Sequence, residues 1–357
     1  MLRACVLMMA VMGAGVTAQD GAEPVDREVV SAEENAALRY WEAWYGLYGH
    51  MRELGGATYT PDGIDVFVSF ESTREAEVAK VERVLKSLEL YGIDKLIEAS
   101  KIEHCDFQRD FVEPELGDTP HLNAAEQSAH LLAADAGRLL ASDQPEEALE
   151  RLATIFRMAE HIGRGIDISD SQWSIMIFEI GYEQTALFQD YLTDHDREIL
   201  AESLERFPDD DTFRLRAAFC EHARINGESL AEDARSEYRD LLREHPKVDF
   251  EGITGFMNEV YYRSRFGRLS RAKIVHERLA MSVLGRQIAD VWHNEERFNE
   301  MMREVGSGRH GFWAMMILIH AVDYRAEDLA AREQLNTLRA WASGETETLE
   351  LLEEEEE

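Results

Sequence analysis

The chain has 357 residues, and its hydrophobic content of 45% is that of a globular protein, which excludes wholesale disorder. Its charge is unusual, because 71 acidic side chains stand against 37 basic ones and give a net charge of −34 with histidine neutral. A field of this sign repels phosphate backbones and anionic lipid headgroups, so nucleic acid and membrane surfaces are not expected as partners, whereas a basic protein segment would be attracted.

Residues 1–18 predict a signal peptide. Arg3 supplies the positive start, the apolar run Ala4–Val16 is too short to cross a bilayer, and Val16-Thr17-Ala18 gives the small-residue pattern before a cut ahead of Gln19. We therefore expect an exported protein, in the periplasm or cell envelope or secreted, without membrane insertion. Residues 19–32 are polar and predict a flexible lead-in.

Four segments follow before the first long connection. Apolar residues at spacings of three and four predict a helix, and these residues are Ala37, Leu38, Trp41, Trp44, Tyr45 and Tyr48. Ile64–Phe70 alternates strongly enough to predict a strand, or an extended segment packed on helices, because no second strand is convincing. Helical spacing then covers 75–90 and 93–102. The irregular stretch 104–122 is the longest connection, and such loops are often functional or cover a core.

From residue 121 onward the pattern predicts helix after helix. One helix ends near Ala141, Asp143 is the expected N-cap of the next, Pro145 lies in its first turn, and Gly163 ends it. Two helices joined by about three residues pack antiparallel, which predicts a helical hairpin with Ala148 near the crossing. Further helices are predicted over 168–192, 194–207, 211–245, 267–304 and 310–342.

These elements predict an all-α fold, an irregular array of antiparallel helical hairpins forming an α-solenoid or superhelix, with at most one short strand-like segment. We expect a single helical domain over 33–343, made of a first part, 33–207, and C-terminal helices, 208–343. The glutamates of 344–357 repel one another and predict a disordered acidic tail.

The Ala148 hairpin resembles a tetratricopeptide repeat, because the small residue Ala136 lies twelve positions earlier, near the helix crossing. The match is partial. Ile155 holds the later alanine position, Glu160 replaces the closing proline, and no second unit follows at the period of this repeat.

A broader resemblance rests on three motifs, Asn35–Trp41, Cys105–Phe107 and Pro120–Leu122. They are similar to motifs of a family of exported, uncharacterised bacterial α-helical proteins, and the resemblance covers roughly 33–207. It implies a helical fold and an exported location, and it carries over no catalytic residues. Gln108 departs from the family's glycine after the aromatic residue, so this loop is expected to turn differently.

Known catalytic and cofactor motifs are absent from the sequence, so no metal site and no cofactor are predicted. Asp209–Asp211 would suit a cation, but a helix N-cap explains the same residues. One constellation suggests thiol chemistry: Cys105 between His104 and Asp106, with His121 returning from the far end of the loop as a base. The alternative is a structural loop in which Cys105 and His121 are buried. Cys105 and Cys220 could form a disulfide after export, or remain two separate buried thiols.

Two functions from different classes remain. The first is a scaffold that binds a protein or peptide partner, with a basic partner favoured by the charge. The second is a thiol or hydrolase-like enzyme centred on the 104–121 loop. An enzyme requires three or more titratable side chains to converge in one pocket, whereas a scaffold requires a binding surface.

Overall fold

The structure is a computed structural model and describes residues 34–54, 57–65, 73–107, 120–165, 167–229, 283–305 and 312–349. The predicted signal peptide 1–18, the lead-in 19–32 and the end of the tail, 350–357, lie outside these ranges. The described residues have an all-α fold with one small β-hairpin. None of their helices combines the length and the apolar character needed to span a membrane.

The chain divides into two compact units. The larger one holds the described residues of 34–107, 120–218 and 326–349, and the smaller one holds those of 219–325. In chain order the elements are α1 (Ala36–Leu54), β1 (Thr58–Thr60), β2 (Gly63–Asp65), α2 (Arg74–Tyr91), α3 (Ile93–Lys101), α4 (Pro120–Ala141), α5 (Pro145–Gly163), α6 (Ile168–Phe188), a 3-10 turn (Gln189–Tyr191), α7 (Asp194–Leu204), α8 (Leu215–Ser229), a helical stretch over 283–291, α9 (Glu295–Glu304) and α10 (Phe312–Ala342).

Helix α5 is the centre of the larger unit, because it packs against α3, α4, α6 and α7. Nearly all of its side chains are buried, and Ala148 is fully so, as its predicted place in the hairpin requires. Gly181 brings α6 close to α5, since a Cβ atom at this position would lie 2.8 Å from Cε1 of Phe156. Close packing of this kind makes added volume costly, typically about 1–3 kcal/mol per overpacked side chain.

The α4–α5 hairpin has the predicted ends, but its turn is built differently. Asp143 does not cap α5: it adopts a left-handed conformation with φ 58°, which aspartate tolerates better than most residues, and Gln144 takes the N-cap position without a side-chain hydrogen bond. The carbonyl of Leu139 accepts hydrogen bonds from the backbone N–H groups of Ser142 and Gln144. Backbone hydrogen bonds of the turn therefore take the place of the side-chain cap predicted at Asp143.

A buried ion cluster ties the two helices of this hairpin together. Asp135 of α4 is 1% exposed, and its Oδ1 accepts hydrogen bonds from Nε and Nη2 of Arg138 at 2.9 and 2.7 Å. Its Oδ2 accepts from Nε of Arg151 on α5 at 3.0 Å. Both carboxylate oxygens are thus occupied by guanidinium donors, the arrangement that makes a buried charge tolerable.

The strand prediction needs a correction. Strand β2 covers only Gly63–Asp65 of this region, and it pairs antiparallel with β1, a second strand that the sequence did not indicate. Residues 66–70 of the predicted strand lie outside the described ranges. Strand β1 packs against α4, and the carbonyl of Tyr59 accepts a hydrogen bond from Nε2 of Gln184 on α6. A strand of three residues is too short to show a period-two pattern, which is why it was missed.

Helix α1 buries only part of the predicted stripe, in which Ala37 and Trp44 are buried. Tyr40, Trp44 and Leu47 are almost completely buried, whereas Leu38 is 41% exposed and Tyr45 is 85% exposed. The buried stripe is rotated because aromatic residues occur on more than one side of this helix, so spacing alone did not decide which side faces the core.

The chain following α10 is anchored further than predicted. Leu349, expected in a disordered tail, is buried, and the side chain of Gln189 pairs with its backbone. Oε1 of Gln189 accepts from the N–H of Leu349 at 2.7 Å, and Nε2 donates to its carbonyl at 2.9 Å. The stretch up to Leu349 therefore belongs to the folded unit.

In the smaller unit, the helix predicted over 267–304 is interrupted within its described part. The helical stretch 283–291 ends before Trp292, and Asn294 caps the start of α9 by accepting a hydrogen bond from the N–H of Arg297 at 3.0 Å. Trp292 is buried against the ring of Phe219, with ring centroids 5.3 Å apart. The asparagine cap explains the break, because its side chain competes with continued helix.

Candidate functional site

The three motifs Asn35–Trp41, Cys105–Phe107 and Pro120–Leu122 converge in the larger unit. Asn35, which is 1% exposed, clamps the backbone of Asp106: its Oδ1 accepts from the N–H at 3.0 Å and its Nδ2 donates to the carbonyl at 2.8 Å. The N–H of Ala36 donates to the carbonyl of His104 at 2.8 Å. The loop after α3 is thereby held at the first turn of α1.

A layer of aromatic rings covers this junction. Phe107 stacks on Tyr40 and Trp44 of α1, with ring centroids 6.4 and 5.9 Å apart, and it lies 4.7 Å from the imidazole of His121 at the start of α4. His121 is buried, and its Nε2 is 3.6 Å from Oδ1 of Asp170 on α6. Through Phe107 and His121, the layer thus connects α1, the loop after α3, helix α4 and helix α6.

Tyr40 of this layer also forms a buried pair with His161, in which the phenol oxygen lies 3.0 Å from Nδ1 of the imidazole. Burial raises the pKa of Tyr40 well above its ordinary value. Burial, and then the charge of Arg164, lowers the pKa of His161 to about 3. Both side chains are therefore neutral near pH 7. One hydrogen bond joins the phenol to Nδ1, and the imidazole tautomer sets which of the two groups donates.

Cys105 is buried beside this pair rather than presented to solvent. Its thiol is 8% exposed, and burial raises the pKa of the thiol above its usual range, with the nearby Arg164 opposing that change only in part. A thiol with a raised pKa stays protonated at neutral pH, whereas nucleophilic cysteine chemistry needs the thiolate.

The predicted cysteine–histidine constellation is only partly assembled. His104 is exposed, and no hydrogen bond joins Cys105 to His121 in the part of the chain that the structure describes. His121 instead contacts Phe107 and Asp170, while Cys105 interacts electrostatically with Tyr40, the partner of His161. The prediction that both Cys105 and His121 are buried is confirmed.

The charges of three arginines, Arg164, Arg206 and Arg157, act on His161. Arg157 belongs to α5, Arg164 is the residue that caps its C-terminal end, and Arg206 follows α7. Arg157 donates to Oε1 of Glu150 at 2.9 Å, and Arg164 donates to Oε1 of Glu160 at 2.7 Å. The arrangement places cationic groups around a neutral buried pair.

The remaining predicted residues have structural partners. Oδ1 and Oδ2 of Asp211 accept from the backbone N–H groups of Arg216 and Ala217 at 3.3 and 3.1 Å, which is a helix cap at the start of α8. The described residues contain no group of three or more histidine, cysteine, aspartate or glutamate side chains able to hold a metal ion. Cys105 and Cys220 are both free thiols in this structure, and their pairing after export stays a prediction.

The sequence did not single out Tyr40, His161 or Arg206. One signal was present: His161 follows Ile155, Phe156 and other apolar residues near the end of a helix in which most residues are buried. A histidine inside such a helix has to be neutral or paired. Its partner, 121 positions away in the sequence, could not be named.

Comparison with known proteins adds no identity. The sequence matches no known protein-family model, and neither curated proteins nor solved structures give a match.

Proposed function

We propose that this protein is an exported helical scaffold that binds a basic protein or peptide segment on the outer face of α1. The observation that carries the proposal is the exposure of Tyr45, 85% accessible, on the same face as Leu38, 41% accessible. Trp41 lies between them at helical spacing and is half-buried. Exposed aromatic residues of this kind are common anchors of protein interfaces, where tyrosine and tryptophan contribute much of the binding energy.

Charge selects the class of partner. The chain carries −34, so a basic segment is drawn to it over long range and an acidic one is repelled. Successive helices α3 to α7 packing around α5 give the rigid support that an interface on α1 needs. A tetratricopeptide-like array is the architecture that we propose for this scaffold, because stacked hairpins present extended binding surfaces.

The alternative, a thiol or hydrolase-like enzyme centred on residues 104–121, has less support. Cys105 is buried and protonated, and the nearby Tyr40 and His161 are neutral. A neutral histidine with a pKa of about 3 is a weak base for activating a thiol. We propose that the group instead fixes α1 in position beneath its exposed face.

The experiment places a photo-cross-linking phenylalanine analogue at Tyr45 in cells that produce the protein, with the same analogue at Tyr191 as the matched control. Tyr191 is also exposed, at 50%, but lies in the 3-10 turn after α6. We expect an adduct specific to position 45, which maps to a lysine- and arginine-rich segment. A synthetic peptide of that segment should bind the purified protein, more weakly as salt rises and more weakly to Leu38→Ser.

Equal adducts at both positions, or a peptide whose binding ignores Leu38→Ser, would contradict the scaffold proposal. The enzyme alternative is tested separately with Cys105→Ser and His121→Ala. If both variants fold but abolish a turnover of ester, thioester or peptide substrates that the parent shows, the 104–121 loop is an active site and the proposal is wrong.

A further inference from the structure

We propose that Arg157, Arg164 and Arg206 form a binding site for an oxyanion group, a phosphate or a carboxylate. This inference does not depend on the proposed scaffold function or on the face of α1. It rests on the placement of the three guanidinium groups and on the partners that each of them has.

The spacing along α5 brings two of the arginines to one face. Arg157 and Arg164 are seven residues apart, which is close to two helical turns, and Glu150 lies another seven residues before Arg157. Glu160 is one turn from each arginine. The same face of α5 packs against α3, so these side chains lie beside the C-terminal end of that helix.

Contacts with the end of α3 bring the third arginine to the same place. Arg206 donates from Nη1 to the carbonyl of Ser100 at 3.1 Å, and Arg164 donates to the carbonyl of Glu103 three residues further on. Lys101, between them, has its Nζ 3.2 Å from Oε1 of Glu150, the oxygen that also accepts from Arg157. Four cationic side chains thus surround one short segment.

The guanidinium groups are only partly used by the protein. Each carries five N–H donors, yet Arg157 and Arg206 each make one hydrogen bond and Arg164 makes two among the described residues. Arg206 has no carboxylate within ion-pair distance in the described ranges. Oε2 of Glu160 also has no hydrogen-bond partner among the described residues, so the carboxylate of Glu160 accepts no hydrogen bond from Arg206.

The ion pairs of this group leave one cation without a carboxylate. Lys101, Arg157 and Arg164 pair with two carboxylates, those of Glu150 and Glu160, whereas Arg206 has no ion pair among the described residues. The dipole at the C-terminal end of α3 adds about half a negative charge. The pKa of Arg206 is lowered by burial and then by the charge of Arg157, as expected for neighbouring cations in one place.

An oxyanion supplies the hydrogen-bond acceptors that the three guanidinium groups lack. Its oxygens accept several guanidinium N–H bonds at once, and arginine clusters are the usual means of binding phosphate and carboxylate groups. Partial exposure leaves an approach, because the side chains of Arg157 and Arg164 are 14% and 24% accessible. The site is therefore suited to a small anion, or to an anionic group on a larger molecule.

The test is isothermal titration of the purified protein with inorganic phosphate and, separately, with malonate, at low ionic strength. We expect one saturable site for at least one of these anions, with affinity reduced at least tenfold in Arg206→Gln. The matched control is Arg216→Gln, because Arg216 also lies near carboxylates but belongs to the start of α8. A preference for phosphate assigns a phosphate-type group, and a preference for malonate assigns a carboxylate.

A second measurement needs no variant. Phenylglyoxal modifies accessible arginines, and peptide mass spectrometry reports each one. The anion that binds should slow the modification of Arg206 at least fivefold and leave that of Arg216 unchanged. Absence of saturable binding at millimolar anion, unchanged affinity in Arg206→Gln, or equal protection of both arginines would overturn the proposal.

Discussion

At the α4–α5 hairpin, the carboxylate of Asp135 is buried with its charge, because Arg138 and Arg151 donate to both of its oxygens. Beneath α1, Tyr40 and His161 are equally buried but carry no charge near pH 7. The first region thus retains its ions and pairs them, whereas the second suppresses ionisation.

Arginine acts in opposite directions in these two regions. Around Asp135 it donates hydrogen bonds to both oxygens of a buried carboxylate. Beside His161, Arg164 disfavours the ionised form and helps to keep the imidazole neutral. The difference predicts that the hairpin is sensitive to loss of a charge, and that the junction beneath α1 is sensitive to gain of one.

The largest effect is expected from Asp135→Asn, which leaves Arg151, only 8% exposed, without its carboxylate. Removal of one partner from a buried ion cluster typically costs about 3–5 kcal/mol of unfolding free energy, and urea denaturation measures it. The control is Glu42→Gln, which breaks the exposed pair with Arg39 and should change the free energy by less than about 1 kcal/mol. Equal effects of the two substitutions would contradict the importance of burial.

The junction is tested by pH. The folded pKa of His161, about 3, lies below its unfolded value of about 6.5, so its stabilising contribution is complete above pH 6.5 and declines as the pH falls towards 3. Between pH 6.5 and 5 the parent should lose about 2 kcal/mol that His161→Gln does not lose. The measurement is the urea midpoint against pH, and parallel profiles for both proteins would show that His161 is not buried as a neutral group.

The smallest effect is expected from Tyr40→Phe. This change removes one hydroxyl and leaves Nδ1 of His161 without its hydrogen-bond partner, while the ring packing with Phe107 is kept. The expected loss is about 1 kcal/mol of unfolding free energy, read from the same denaturation curves. A double substitution with His161→Gln should cost less than the sum of the single changes, because both remove the same hydrogen bond. Strict additivity would mean that this hydrogen bond contributes nothing.

Local sequence patterns predicted the α4–α5 hairpin. They did not predict the Tyr40–His161 junction, because its residues are far apart along the chain. The ends of α4 and α5 followed from apolar spacing, Pro145 and Gly163, which act within a few residues. The contact of Tyr40 with His161 depends on how separate helices pack, and no local pattern encodes it. His121 was selected because it bounds the same loop as Cys105, but packing places it against Asp170 instead.

The arginine cluster was hidden for a related reason. Arg157 and Arg164 have an ordinary helical spacing, while Arg206 comes from a turn after another helix. Their convergence requires the end of α3 as a meeting point, and the sequence does not say which helix ends meet. The wrong N-cap prediction at Asp143 has a local cause. Asp143 adopts the left-handed conformation within the turn, so Gln144 becomes the N-cap residue of α5.

The clamp between Asn35 and Asp106 closes a loop of the chain whose two ends meet at one point. A surface turn between Asn35 and Asp106 can therefore be lengthened without moving either residue, because the entropy cost of closing a loop grows only slowly with its length. Pro61 and Asp62, exposed between β1 and β2, are the natural position for such a change. A fluorescent reporter domain inserted there should leave the arginine cluster intact, and would provide a label for binding measurements that avoids both chain ends.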